Sequence, residues 1–186
     1  MIIGIAGTLG AGKGTVVEYL KEKNFTHYSV SGRLKEILDE RNLLGTRENL
    51  SSLADELAVS YEGGILEVMH QKAKEDGVTD YILESIHRES EAEYLRSIGA
   101  IILGVNADPE IRYERTFKRQ EGDKDNVTYE EFLNSIAREE EGKGEGTPNI
   151  LAVLQSADFV LQNNGSVEEL HEQIEEVLSK INEENI

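Results

Sequence analysis

Short apolar runs alternate with longer amphipathic stretches along this chain, a pattern that predicts parallel strands connected by helices. Met1 to Ala6 reads as a buried first strand and Lys13 to Lys23 as the helix behind it. A second, weaker strand is expected over Phe25 to Val30, a third over Tyr81 to Ser85, a fourth over Ala100 to Val105 and a fifth over Phe159 to Leu161. From Gly32 to Lys74 the periodicity is mostly helical, with breaks expected near Asn42 to Thr46 and at Gly63-Gly64. Asp108-Pro109 opens another helix, with the aspartate as cap and the proline in the first turn. Further helices are expected from Tyr129 to about Glu141 and from Ser166 to Lys180, where Ser166 and Glu169 have capping-box spacing. Two stretches, Gln120 to Asn126 and Glu141 to Pro148, read as polar loops, and no internal repeat is visible.

The apolar segments of a 186-residue chain with 38% hydrophobic residues suffice for one core, so a single domain spanning 1–186 is expected. No apolar run approaches the ~20 residues of a membrane span. Cysteine is absent, which removes disulfides and thiolate zinc sites and suits a reducing cytoplasm. A formal net charge of −18, from 37 acidic and 19 basic residues, would repel nucleic acid and an anionic membrane alike. It also means that any site for an anionic ligand must gather its cations locally.

The stretch Gly7-Thr8-Leu9-Gly10-Ala11-Gly12-Lys13-Gly14-Thr15 follows the first strand and opens the first helix. Glycines at 7, 10 and 12 permit backbone angles that turn successive N–H groups towards phosphate oxygens, and the helix adds its positive N-terminal end. In this reading Gly7, Gly10, Ala11, Gly12 and Gly14 cradle the phosphates of ATP, Lys13 reaches the β- and γ-phosphates, and Thr15 offers a hydroxyl towards Mg²⁺. A bare glycine-rich turn explains the glycines but not Lys13-Gly14-Thr15. Glu84 ends the third strand at the carboxyl edge of the sheet, where it is either a water-mediated Mg²⁺ ligand beside Thr15 or a solvated strand-end carboxylate.

The loop resembles that of the nucleoside-monophosphate kinases, adenylate kinase in particular, whose pattern Gly-x-Pro-Gly-x-Gly-Lys-Gly-Thr is matched from Gly7 to Thr15 except for Leu9 in the proline position. Ser31-Gly32 and Glu84-Ser85-Ile86-His87-Arg88 fall where that family has Thr-Gly-Asp and Asp-Gly-Phe-Pro-Arg. The resemblance implies an α/β, three-layer α/β/α P-loop kinase fold with a five-stranded parallel sheet, a helical acceptor-binding insertion over 31–77 and a short lid region over about 115–140. It implies phosphoryl transfer from ATP with Mg²⁺ to a small nucleotide acceptor, with Arg88 on the acceptor's phosphate, Arg33 and Arg47 as further acceptor ligands, and Arg119 and Arg138 as lid arginines. Arg115 is a weaker candidate of the same kind. Glu36 stands where the family has an arginine, and His87 where it has a proline.

The closing stretch from Ala157 to Leu170 also resembles dephospho-coenzyme A kinases and phage-type deoxynucleotide kinases. That resemblance sets Asn164 and Gly165 beside the donor base; a plain strand-to-helix turn is the alternative. Dephospho-coenzyme A kinase is thus a second reading, and a nucleotide-dependent switch or ATPase module a third. His27, His70, His87 and His171 lack metal-ligand spacing, and of these only His87 is expected near the chemistry. The oligomeric state is not legible from the chain.

Overall fold

The computed structural model describes residues 1–119, 128–140 and 149–184. Its strands are β1 (Ile2–Gly7), β2 (Thr26–Tyr28), β3 (Tyr81–Ile86), β4 (Ile101–Asn106) and β5 (Phe159–Gln162). They pair in parallel in the order β2-β3-β1-β4-β5. Parallel strands need crossovers. These are supplied by α1 (Lys13–Glu22), α2 (Val30–Glu40), α3 (Arg47–Ser60), α4 (Gly64–Glu75), α5 (Glu89–Ser97), α6 (Pro109–Arg119), α7 (Tyr129–Glu140) and α8 (Ile150–Gln155), and α9 (Val167–Glu184) follows the last strand.

β1 is apolar throughout because both of its faces are covered. Ile3 and Ile5 pack with Val16 and Leu20 of α1 and Ile174 of α9. Ala6 belongs to the opposite layer, with Leu34, Leu66, Met69, Leu83, Leu95 and Val153 from α2, α4, β3, α5 and α8. Successive strand residues point to opposite faces, so one six-residue run serves both cores. Gly4 suits this packing, since a Cβ there would meet Leu95 Cδ1 at 2.9 Å and Ile86 Cδ1 at 3.0 Å and both side-chain ends would have to shift.

The expected α/β/α sandwich is therefore what forms, with local differences. Val30 opens α2 rather than ending β2, because Ser29 caps that helix and its Oγ accepts from Gly32 N at 3.2 Å. The helical stretch divides at the anticipated breaks, where Asn42 and Gly64 take positive φ angles of 57° and 56°. Two helices, α5 and α8, lie where none was expected. Both are short, and α5 buries a carboxylate, Glu91, on the face an apolar residue would normally mark. The loops expected at Gln120 to Asn126 and Glu141 to Pro148 lie outside the described residues. No helix among the described residues is long and apolar enough to cross a membrane.

β3 carries one irregularity that shapes the site. Ile5 pairs with Glu84 but Ala6 pairs with Ile86, leaving Ser85 as an extra residue at φ 67°. The bulge breaks the two-residue alternation. Ile86 thereby joins the core beneath α4 and α5, while Glu84 keeps the face that β3 shares with the phosphate loop.

Candidate nucleotide-binding site

The loop between β1 and α1 has the conformation its glycines anticipate. Gly10 and Gly12 lie at φ 76° and 103°, angles at which an L side chain is strained. Both are also wedged from behind. A Cβ on Gly10 would meet Arg112 O at 2.4 Å, and one on Gly12 would meet Asn163 Nδ2 at 2.1 Å. Gly7 is close against β4, with Val105 O 2.6 Å from its notional Cβ. Gly14 faces open space within 4 Å, so its place in the motif is not forced by packing.

Lys13, the first residue of α1, turns back over the loop, where Nζ donates to Gly7 O at 2.7 Å and to Thr8 O at 3.1 Å. Beside it opens a cavity of about 610 Å³ walled by Thr8, Gly10, Gly12, Lys13 and Thr15 from the loop, Glu84 from β3, and Arg115 and Thr116 from α6. The Thr8 side-chain hydroxyl is buried and has no hydrogen-bond partner among the described residues. Left-handed glycines, a helix N-terminus, two cations and an orphaned donor suit a bound polyphosphate. Thr15 and Glu84 share the cavity, and a hydroxyl with one carboxylate suits Mg²⁺, which keeps several waters and takes its remaining ligands from phosphates. Among the described residues no group of three or more His, Cys, Asp or Glu side chains could hold a metal ion.

Glu84 is held charged. His27 first, then Lys13 and His87, keep its carboxyl below the ordinary 4.5 against the opposing effect of burial. His27 Nε2 stands 3.1 Å from Glu84 Oε1, within ion-pair distance but off the angle a hydrogen bond needs. The expectation that only His87 would approach the chemistry is thus corrected. The parallel pairing of β2 with β3, His27 beside Ile82, puts His27 on the same face as Glu84. Burial pushes the His87 imidazole down from 6.5, with Lys13 and Arg88 acting in the same direction and Glu91 against it.

The two described arginines that were expected on the acceptor side, Arg88 and Arg33, are paired with carboxylates. Arg88 Nη1 donates to Glu91 Oε1 at 3.0 Å, and Nη2 lies 3.8 Å from Asp55 Oδ1. Arg33 Nη1 reaches Glu36 at 3.0 Å and Glu40 at 3.4 Å, and Arg33 lines a separate cleft of about 350 Å³ with His27, Tyr28 and Lys72. The side chains of Arg47, Arg119 and Arg138 lie outside the described residues, although their backbones sit in α3, α6 and α7. Arg112, on the same helix as Arg115, is 5% exposed, so it belongs to the packing of α6 rather than to an open face.

Asn164 and Gly165 occupy the turn after β5, and Asn164 Oδ1 accepts from Asp108 N at 2.8 Å. Neither lines the cavity. The residue of this turn that touches the phosphate loop is Asn163, whose Nδ2 donates to Ala11 O at 2.8 Å. Nothing in the run Gln162-Asn163-Asn164-Gly165 marks which asparagine turns inward. The one signal is alternation carried past β5, which sets Asn163 on the same inward side as Leu161.

Comparison with known proteins agrees with this geometry. An AAA domain family model matches residues 3–139. A UPF0200 protein of Sulfurisphaera tokodaii is 29% identical over 182 residues, covering 97% of both chains, and one of Pyrococcus horikoshii is 26% identical over 190 residues with the same coverage. Among solved structures, shikimate kinase from Bacteroides thetaiotaomicron superposes with a TM-score of 0.63 at 13% identity, covering 96% of this chain and 98% of that one. Dephospho-CoA kinase from Campylobacter jejuni gives 0.55 at 17% identity, covering 97% and 96%. At such identities these two speak for the fold alone. With the family match spanning most of its length, the chain belongs to the AAA domain family, and its sheet order and phosphate loop make it a P-loop protein of kinase-like fold.

Proposed function

We propose that the protein is an ATP-dependent phosphotransferase that moves the γ-phosphoryl group to a small acceptor, in the first instance a nucleoside or deoxynucleoside monophosphate. The observation that carries this reading is the meeting of Lys13, Arg115, Thr15 and Glu84 in one cavity over a glycine loop. That set supplies what phosphoryl transfer requires, namely positioning and charge stabilisation. Loop N–H groups and the start of α1 hold the β- and γ-phosphates. Lys13 leaves the carbonyls of Gly7 and Thr8 for the phosphate oxygens, and Arg115 approaches from α6. Thr15 and Glu84 would hold Mg²⁺, which would supply charge neutralisation. An oxygen of the acceptor phosphate bonds to the γ-phosphorus as the bond to the β–γ bridging oxygen breaks, giving ADP and a diphosphate. Arg88 is the proposed acceptor ligand at the end of β3, and the segment bearing Arg119 and Arg138 is the proposed lid.

A second reading has one observation in its favour. The carboxylates beside Arg88 and Arg33 offset cations that an acceptor phosphate would use, which suits an alcohol acceptor such as dephospho-coenzyme A. Product formation from Mg·ATP across ribo- and deoxynucleoside monophosphates and dephospho-coenzyme A separates the two. Lys13→Ala is expected to lose at least ~100-fold in rate, the scale of removing one preorganised phosphate-stabilising donor. ATP binding without turnover of any acceptor refutes the kinase reading and favours a nucleotide-dependent switch.

A further inference from the structure

Asn163 is 6% exposed and lies where three segments meet. Its N–H donates to Asn106 O at the end of β4 (2.8 Å). Its Nδ2 donates to Ala11 O in the phosphate loop (2.8 Å). Arg115 Nη1 donates to its backbone carbonyl (2.9 Å), and Nη2 to its Oδ1 (3.3 Å). The orientation of the amide follows from its neighbours, because Ala11 O can only accept and the guanidinium can only donate. One side chain therefore joins a loop carbonyl to a cation that lines the same cavity.

The loop needs such a tie. Ala11 is fully buried, so its carbonyl has no access to water. The next residue, Gly12 at φ 103°, has no Cβ to resist rotation of the Ala11–Gly12 peptide. The C=O and N–H of one peptide point in opposite directions. With Ala11 O held by Asn163, the Gly12 N–H is directed away from Asn163, and Gly12 lines the cavity. Rotation of that peptide would remove a donor from the phosphate cradle and put a carbonyl oxygen in its place. Asn163 Nδ2 also fills the space a Gly12 side chain would need, 2.1 Å from the notional Cβ.

We propose that Asn163 is a positioning residue for the donor phosphates: it locks the Ala11–Gly12 peptide in the anion-binding orientation and anchors Arg115 at the rim of the same cavity. The proposal rests on the phosphate-loop reading of Gly7 to Thr15. It assigns Asn163 to the phosphates, in contrast to a donor-base role for its neighbours Asn164 and Gly165. Arg115 offers five N–H donors, and the pair used on Asn163 leaves the others to face a ligand. Holding a cation in place before the ligand arrives avoids reorganisation on binding.

Isothermal titration of the full chain with Mg·ATP and with tripolyphosphate tests this. Asn163→Asp keeps the shape and the acceptor for Arg115 but sets a carboxylate against Ala11 O. The loss of one buried hydrogen bond together with the repulsion is expected to weaken both ligands by about ten- to thirtyfold. Equal weakening of the two marks a phosphate effect. A variant that weakens ATP alone overturns the proposal in favour of base recognition. One that binds both ligands as tightly as the unaltered protein while melting lower also overturns it, the role then being structural. Arg115→Ala, on a partly buried surface position, covers the case in which Asn163→Asp does not fold. It should weaken both ligands by about tenfold, and adding Asn163→Ala to it should weaken them by less than Asn163→Ala does alone. Strictly additive effects refute the coupling. If the unaltered protein binds neither ligand, the phosphate-loop reading itself has failed, which is a different result from an indifferent variant.

Discussion

Glu91→Ala probes how the turn that presents Arg88 is held. Glu91 is 3% exposed, and its Oε2 accepts from His87 N at 2.8 Å and Arg88 N at 3.1 Å, while Oε1 accepts from Arg88 Nη1 at 3.0 Å. The substitution leaves two backbone donors and a guanidinium without that acceptor. Removing one partner of a buried ion pair costs about 3–5 kcal/mol. Arg88 is 20% exposed, so water recovers part of this and the lower end applies. At about 2–4 °C per kcal/mol for a chain of this size, a loss of about 3 kcal/mol lowers the melting midpoint by roughly 6–12 °C. Asp55 cannot substitute, being 3.8 Å from Nη2 and 74% exposed. The assay is thermal unfolding followed by circular dichroism at neutral pH without nucleotide. Glu93→Ala, an exposed neighbour on α5, is the control and should shift the midpoint by less than about 2 °C. A Glu91→Ala shift no larger than the control's would refute the reasoning, because Arg88 and the N-terminus of α5 would then be held by something other than this carboxylate.

Gly12→Ala combines a left-handed φ of 103° with a Cβ 2.1 Å from Asn163 Nδ2, so urea unfolding should show a loss of at least about 1–2 kcal/mol; unchanged stability would mean that the loop is free to relax. Thr8→Val replaces a buried hydroxyl that has no partner among the described residues, so the ligand-free protein should be as stable as before or slightly more so, within about 1 kcal/mol, while Mg·ATP binding weakens. Equal affinity for Mg·ATP would show that the hydroxyl does not face phosphate. The depressed pKa of His87 means that the unfolded chain takes up a proton near 6.5 that the folded chain refuses. Stability is thus complete above that value and falls as the pH drops below it, and His87→Asn should flatten the slope measured between about pH 7.5 and about pH 5.5. His70, also depressed by burial, supplies the residual slope. A slope of the opposite sign would contradict the burial argument.

Much of the fold and half of the site could be read from the chain because the information is local. The run Ile2 to Ala6, the glycines at 10 and 12 and the Lys13 helix are contiguous, and each fixes its own backbone geometry whatever else surrounds it. The positions of the strands along the chain followed from apolar runs that two covered faces require. The helices α5 and α8 escaped because short helices bury little, and in α5 the inward position is a glutamate whose partner, Arg88, lies one turn before it. Only Glu91 caps this helix, accepting from His87 N and Arg88 N, and an arginine at the N-cap, which cannot accept in return, gives no start signal in the sequence.

The sequence by itself determined the shape of the glycine loop for which we propose a phosphate ligand, since a loop between strand and helix needs no distant partner to take its shape. Only the tertiary structure decided which residues hold that loop in place. Asn163 meets Ala11 across 152 positions, and Arg115 meets Asn163 across 48. His27 meets Glu84 because β2 happens to pair with β3 rather than with β1. These contacts depend on the order of strands in the sheet. Hydrophobic periodicity encodes the face a residue takes, but not which neighbour it finds there.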